Sequence, residues 1–313
     1  MKQPRPSTSR ISVRSLSSGS STPASKSRST AARLRIGILG GGQLARMLCL
    51  RGWEMGHSMA VLSEHATDPA AQVTRHWHQG SPSRWKDLLK FRKNVDVLTF
   101  ESEFFDASLL QRLLLEPSET AFAIHPSPSA MSTLQDRLPQ KQALVAAGLT
   151  TADFIAVSSE SEFLEAQKKF PGGFVLKKRT HGYDGYGTHV FRKVRESRWR
   201  PDWNQTNWIA ENFVPFRREL ALLFARSRKG EIVSFPLVES FQRDNRCDWV
   251  TGPIRHPGLS RFSKRVHLFL EKLDYRGTIA FELFDTGKDL IVNEVAPRVH
   301  NSGHYTQNAC FKD

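Results

Sequence analysis

Short apolar runs recur along most of the chain, and their spacing changes near its middle. In the first third, residues 36–39, 59–62 and 95–100 read as short buried strands, and Leu44, Met47 and Leu48 form the apolar stripe of a helix after the first of them. That alternation predicts a parallel sheet. Residues 134–148 then form an amphipathic helix carrying Arg137 and Lys141, with Gly148 as its C-terminal cap. Beyond it, apolar runs at 174–177, 188–191, 208–214, 220–225, 233–239, 278–284 and 290–295 predict one antiparallel sheet. Unlike ordinary core strands, several of these carry one charge: Lys177, Glu211, Glu219, Glu282 and Glu294. Five such charges on one sheet need each other or a polyvalent ligand.

The last two strands carry the clearest chemistry. Residues 290–295 run into Pro297 and then into Arg298, His300, Asn301, Ser302, His304 and Tyr305. Burying those donors unpaired would cost several kcal/mol, so the segment reads as the wall of a site. Upstream, Asp285-Thr-Gly-Lys-Asp289 has the composition of a hairpin connection. A two-residue Thr286-Gly287 turn would set 284 opposite 289 and put Glu282 and Glu294 on opposite faces. A three- or five-residue loop would set 282 opposite 292 and 280 opposite 294, making the glutamates same-face diagonal neighbours roughly 7 Å apart. Two acids there, with Asn293 beside them, suit a hard cation bridging phosphate oxygens.

The glycine turn after the first strand, Gly40-x-Gly42-x-x-Ala45, fits a dinucleotide fingerprint, with Glu64 near the place of a ribose-binding acid. A nicotinamide oxidoreductase is therefore a competing reading. It leaves the cations at 177–179 and the acid pair without a task. The 95–100 strand delivers Glu101 and Glu103 to its C-terminal end, where open α/β sheets place their ligands. The strand at 174–177 empties into Thr180-His-Gly-Tyr-Asp-Gly-Tyr-Gly-Thr188, whose backbone amides can cover phosphates.

Charge modifies this picture less than its total suggests. The net charge is +14, but the first 35 residues hold eight Lys or Arg and no acid, leaving 37 basic and 31 acidic residues in the rest. A nucleic-acid-binding body is not indicated. The Ser/Arg-rich leader, 1–34, lacks the apolar content to form a core and has the composition of a mitochondrial or plastid transit peptide; a disordered tail or basic arm would look similar. Without such targeting the expected location is cytoplasmic. No apolar run approaches a membrane span. Cys49, Cys247 and Cys310 have no metal-like spacing, which points to reduced thiols.

Four stretches together resemble a known family: Gly40-Gly-Gly-Gln-Leu-Ala-Arg-Met47, Thr99-Phe-Glu-Ser-Glu103, Lys177-Lys-Arg-Thr-His-Gly-Tyr-Asp-Gly-Tyr-Gly187 and Asn293-Glu-Val-Ala-Pro-Arg-Val-His-Asn-Ser-Gly-His-Tyr-Thr306. They are similar to the N5-carboxyaminoimidazole ribonucleotide synthetases, ATP-grasp ligases of purine biosynthesis. The resemblance implies a Rossmann-like domain over 35–130 and an ATP-grasp domain over 131–313, in a family that continues into a small C-terminal domain. It implies ATP and Mg²⁺ as cofactors, and 5-aminoimidazole ribonucleotide and bicarbonate as substrates joined through carboxyphosphate. Neither nucleic acid nor a membrane is expected as a partner, and a homodimer is compatible.

Carried over by motif position, Arg137 and Lys177 would bind ATP phosphates under a loop of Gly182, Tyr183, Asp184, Gly185, Tyr186, Gly187 and Thr188. Glu211, Asn212, Phe213 and Val214 would hold the adenine edge and Glu219 the ribose, with Gln242 and Asn293 nearby. Glu282 and Glu294 would ligate the metal. Arg298 and His300 would hold carboxyphosphate, with Tyr183 and Asp184 closing on the substrate. Gln43, Leu44, Glu103, Asn301 and Ser302 would sit beside the aminoimidazole ribonucleotide, with the glycine turn at its 5′-phosphate. This chain departs from the pattern at His181, usually glycine, at Tyr186, usually basic, and at Gln242, usually histidine. Another ATP-grasp ligase, such as formate-dependent glycinamide ribonucleotide transformylase, and a non-catalytic nucleotide-binding protein are the alternatives.

The leader's composition yields a direct test. Deleting residues 1–32 should leave the melting temperature within about 2 °C of the full chain, because so little apolar surface cannot offset the entropy of ordering. A drop of many degrees in a thermal melt would make the leader part of the fold.

Overall fold

A computed structural model of the chain describes residues 33–117, 121–182, 186–192, 201–203, 207–243 and 246–310. The leader up to residue 32 and the loop residues Tyr183, Asp184 and Gly185 lie outside the described residues.

The N-terminal part is a five-stranded parallel sheet with helices on its faces. Its strands are β1 (Arg35–Leu39), β2 (Ser58–Ser63), β3 (His76–Gln79), β4 (Val97–Phe100) and β5 (Ala123–Ile124), in the order β3-β2-β1-β4-β5. Helices α1 (Gln43–Glu54), α2 (Trp85–Arg92) and α3 (Ala107–Leu115) are its crossovers. Leu39 and Phe100 are paired at the ends of β1 and β4, where the strand order reverses. The loop after β4 therefore leaves the sheet beside the glycine turn.

Helix α4 (Pro128–Leu134) starts on a Ser127 cap with proline at its first turn. Helix α5 (Arg137–Ala146) follows, capped by Asp136 and closed by Gly148 at φ +75°. It presents Arg137, Gln140, Lys141 and Leu144 on one face, at the three- and four-residue spacing of a helix.

The remaining strands form two antiparallel sheets rather than the single one expected. Strands β6 (Phe154–Val157), β7 (Phe174–Lys178), β8 (Thr188–Phe191) and β9 (Trp208–Asn212) make a four-stranded sheet, order β6-β9-β7-β8, covered by α6 (Glu160–Lys169). The second sheet runs β13-β12-β10-β14-β15, from β10 (Arg218–Arg226), β12 (Val238–Arg243), β13 (Arg246–Thr251), β14 (Gly277–Asp285) and β15 (Leu290–Ala296), with β11 (Ile232–Ser234) pairing beside β10. Helix α7 (Leu259–Lys272) packs Phe262, Val266, Phe269 and Leu270 against it. The single strand expected over 233–239 is broken into β11 and β12. Pro236, which has no N–H for a ladder, lies in the gap, while the Phe235 amide still donates to Leu223 O at 2.9 Å. Five out-of-place charges thus sit on two sheets, Lys177 and Glu211 on one and Glu219, Glu282 and Glu294 on the other.

The β14–β15 hairpin follows neither register drawn from the sequence. Asp285 pairs with Leu290, Phe284 with Ile291 and Leu283 with Val292, so four residues make the connection. That register alone would send the two glutamates to opposite faces. A bulge at Asn293 restores parity, and Glu282 faces Glu294 directly. An extra residue in one strand does what loop length could not.

β15 is an edge strand, and buried side chains close its free edge. Gln140 is 3% exposed; its Nε2 donates to Leu134 O at 2.6 Å and Val295 O at 2.9 Å, and its Oε1 accepts from Val295 N at 3.1 Å. Upstream of the bulge, Thr151 Oγ1 donates to Val292 O at 2.8 Å, and Val292 N donates to Thr150 O at 2.8 Å. Replacing Gln140 by leucine would strand three buried backbone partners, each worth about 1–3 kcal/mol when left unsatisfied. Gln140→Leu should therefore lower unfolding free energy by several kcal/mol in a denaturant titration, far beyond the effect of a surface Gln→Leu change.

Candidate active site

The charged strand residues converge on one cleft between the two antiparallel sheets. A cavity of about 360 Å³ is lined by Arg137, Lys177, Glu211, Glu219, Glu282, Asn293, Glu294, Arg298 and His300, and by Glu103 from the loop after β4. That volume is at the small end of the range for ligand sites. Gly182, Thr188, Asn212, Phe213, Val214, Gln242 and Asn301 also line it. Among the described residues, Gln43, Leu44, Tyr186, Gly187 and Ser302 do not. Ser302 lies behind the wall and Tyr186 is 64% exposed.

Pattern reading found the charges but missed the apolar walls, Ala152, Val175, Val190, Phe216, Cys247, Phe284 and Ala296. Phe216 stacks on Phe284 with ring centroids 4.5 Å apart. Such surfaces suit the faces of a planar base. Alternation marks residues like these as ordinary core, so no sequence signal distinguishes them.

Charge pairing on the cleft floor is uneven. Glu211 Oε2 receives Lys177 Nζ at 3.0 Å and Lys141 Nζ at 3.3 Å. Burial pushes the Glu211 carboxyl upward, but the two lysines overcome it and hold it below its usual range. Lys177 Nζ also donates to Asn293 Oδ1 at 2.9 Å, tying one sheet to the bulge of the other. Arg137 Nη1 lies 2.8 Å from Glu294 Oε2 and outweighs burial there, so Glu294 stays ionised more readily than a free glutamate.

Glu282 is treated differently. Among the described residues no Lys or Arg pairs with it; its neighbours are Asn293 Nδ2 at 3.3 Å and His300 Nε2 at 3.4 Å. Burial, then repulsion from Glu294 and Glu219, pushes its carboxyl up to about 7. Burial also raises Glu219. His300 moves the other way, to about 4, through burial and the adjacent Arg298. Its Nδ1 accepts from Ser302 N at 3.3 Å, so the neutral ring carries its proton on Nε2, facing Glu282. Arg298 donates from Nε and Nη2 to the Glu103 carboxylate.

Part of the glycine turn is taken by the chain's own side chain. Gly42 N donates to Glu101 Oε1 at 2.7 Å and Ala45 N to Glu101 Oε2 at 3.2 Å, so the chain's own carboxylate sits at the start of α1. Gly40 is at φ +99°, and a Cβ there would lie 2.4 Å from Glu101 Oε1. The glycines make room for a glutamate, which removes the main support for the nicotinamide reading. His181 takes φ +58°, the left-handed conformation that glycine adopts without strain, and its ring stacks on Phe104 at 5.6 Å.

Comparisons with known proteins agree with this geometry. Residues 34–135 match a ribonucleotide synthetase preATP-grasp domain, and residues 142–312 match an ATP-grasp domain. N5-carboxyaminoimidazole ribonucleotide synthase of Synechococcus elongatus is 37% identical over 278 residues, covering 88% of this chain and 69% of the relative. The chain belongs to the N5-carboxyaminoimidazole ribonucleotide synthase family. Within the family, the ADP complex of the Staphylococcus aureus synthetase superposes with a TM-score of 0.80 at 28% identity, covering 90% of this chain and 76% of that one. The Aspergillus clavatus synthase in complex with ADP and 5-aminoimidazole ribonucleotide gives 0.76 at 26% identity, covering 88% and 72%. No helix among the described residues is long and apolar enough to cross a membrane.

Glu282 sets a pH signature for the ligand-free protein. Its folded value, about 7, lies above the unfolded value near 4.5. The stability it contributes is complete below the unfolded value and is lost as pH rises through about 7. Glu282→Gln removes that loss at nearly constant shape. The variant should melt several degrees above the parent at pH 8 and close to it at pH 5; equal melting at both would show that Glu282 is not destabilised by ionising.

Proposed function

We propose that this chain carries out the ATP- and bicarbonate-dependent carboxylation of 5-aminoimidazole ribonucleotide to N5-carboxyaminoimidazole ribonucleotide. The observation that carries this reading is the meeting, in one cleft, of a fixed lysine–arginine pair, two opposed carboxylates and the Arg298–His300 wall.

The residues fit a divalent cation. Five carboxylates and three cations line the cavity among the described residues, an imbalance that repels a nucleotide polyphosphate. Glu282 and Glu294 present hard oxygen donors on one face. Two carboxylates would leave the remaining coordination positions to phosphate oxygens and water. Bound there, Mg²⁺ would neutralise charge on the transferred phosphoryl group. Glu282 would give up its proton on binding, so metal affinity rises with pH through about 7.

ATP lies with its base against the Phe216–Phe284 side and the Asn212, Phe213 and Val214 segment, and its ribose hydroxyls toward Glu219. Lys177 and Arg137 direct donors at its phosphates, under the segment that includes Gly182 and Thr188. A bicarbonate oxygen attacks the γ-phosphorus, the bond to the ADP oxygen breaks, and carboxyphosphate forms. Arg298 is a planar donor suited to that dianion, which must compete with Glu103 for it. His300, neutral and protonated on Nε2, serves as a hydrogen-bond donor rather than a base. The exocyclic amine then attacks the carboxyl carbon, the C–O bond to phosphate breaks, and the departing phosphate takes up the amine's proton.

The decisive assay follows ATP consumption and product together. ADP formation should depend on both bicarbonate and 5-aminoimidazole ribonucleotide, with one carboxylated nucleotide formed per ATP. Glu294→Gln should lower Mg²⁺-dependent turnover by a factor of about 100 or more with the fold retained, since the change removes charge and preserves shape. ATP hydrolysis indifferent to the aminoimidazole substrate would overturn the assignment.

A further inference from the structure

Lys141 has no role in the scheme above, yet it is one of the largest fully buried side chains, 1% exposed. A buried ammonium is costly unless it is paired and hydrogen-bonded. Its Nζ donates to Thr151 Oγ1 at 2.6 Å and lies 3.3 Å from Glu211 Oε2, the same oxygen that receives Lys177 at 3.0 Å. Thr151 passes the connection on, through its 2.8 Å bond to Val292 O, to the residue before the Asn293 bulge. Lys177 reaches that bulge directly, through Asn293 Oδ1. One helix residue therefore joins both sheets behind the cleft floor, one directly and the other through Thr151, and two ammonium groups share one carboxylate oxygen.

Charge counting shows what the second ammonium does. Were Lys177 alone with Glu211, the pair would be neutral, and the lysine would offer a polyphosphate little net attraction. Glu211 would also draw the Lys177 ammonium toward the sheet. With Lys141 in place the triad carries one net positive charge. Two of the three Lys177 protons are committed, to Glu211 and Asn293, leaving one for the cleft.

We propose that Lys141 is a positioning residue for nucleotide binding: from behind the floor it compensates Glu211, so that Lys177 presents a net, oriented cation to the phosphates. The inference rests on the reading of the cleft as a nucleotide site. A supporting sign comes from its titration. Burial pulls the Lys141 ammonium down to about 8, against the pull of Glu211 and with further lowering from Lys177 and Arg137. These three charged groups face it from β9, β7 and its own helix. The compensation is therefore complete at neutral pH and is lost as pH rises through that value.

The experiment is equilibrium binding of ATP with saturating Mg²⁺ to the full chain, between about pH 7 and pH 9.5, a window chosen around the Lys141 value. The parent should bind at neutral pH and lose several-fold affinity above about pH 8. Lys141→Met should bind about tenfold more weakly at neutral pH, as the loss of one charged partner implies, and should lack the alkaline fall. Thr151→Val, a milder change should the first variant fail to fold, should move the fall to lower pH, and Thr151→Ser should restore it. A merely structural lysine would lower the melting temperature without moving a pH profile. An unchanged alkaline fall in Lys141→Met, or in Thr151→Val, overturns the proposal. A parent chain that binds no ATP at neutral pH overturns the nucleotide reading itself, an outcome distinct from a normal affinity with an unaltered profile.

Discussion

Two carboxylates set directly across an antiparallel pair repel each other, and much of the cleft is arranged around that repulsion. Glu294 is relieved by Arg137, which leaves Glu282 as the member that cannot ionise cheaply. Elsewhere the same problem is solved within the protein. Glu103 is taken by Arg298 and Glu211 by two lysines. Among the described residues, Glu219 and Glu282 are the cleft carboxylates left without a Lys or Arg, and burial raises both. On the proposed function these are the groups for which a ligand is the missing partner: ribose hydroxyls for one and a cation for the other. Stability withheld at Glu282 becomes binding energy when that partner arrives.

The opposed pair depends on an edge strand that can hold a bulge without opening its backbone to mispairing. Helix α5 makes that feasible. Arg137, Gln140 and Lys141 lie on one face, and they serve Glu294, the backbone of Val295 and Glu211 respectively. Leu144, one turn further on, sits in the core against the six-stranded sheet. A single amphipathic helix thus fixes Glu294, seals the strand that carries it and pairs with the floor. Asp136 couples that helix to β7, because it caps α5 at Leu138 N and grips Arg179 through two oxygens.

Much of this was legible in the residues, and the gaps have physical causes. Short apolar runs located β1, β2, β4, β7 to β10, β14 and β15, most of which have a strongly buried face, whereas β3 and β13, with little buried, and the short β5 and β6 were missed. The polar tail after Pro297 marked a site because such donors cannot be core. Register was not legible: Asn293 fits an alternating strand as well as a bulge, and the choice is made by Lys177 and Glu282, distant in sequence, which hold its amide. Neither was the split into two sheets, since alternation says which face is buried and not against what. Glycine spacing at 40–42 was read as room for a phosphate, and the part Glu101 plays there, from another strand's end, was not legible. Lys141 resembled an ordinary helical cation, and only the packing of both sheets against its helix reveals that it is buried.

The loop after β4 shows why the two halves of the chain form one site. Three of its residues each make a different long-range attachment. Glu101 fills the start of α1, Glu103 holds Arg298 after β15, and Phe104 stacks on His181 after β7. The last of these bears on a departure from the family pattern. A left-handed non-glycine residue costs roughly 1–2 kcal/mol. An aromatic stack returns about 0.5–1.5 kcal/mol beyond its buried area. The two are of similar size, so the stack on Phe104 offsets the backbone cost of a left-handed histidine at 181. The stack has a mechanical consequence: the segment after β7 is tied to the same short loop that restrains Arg298.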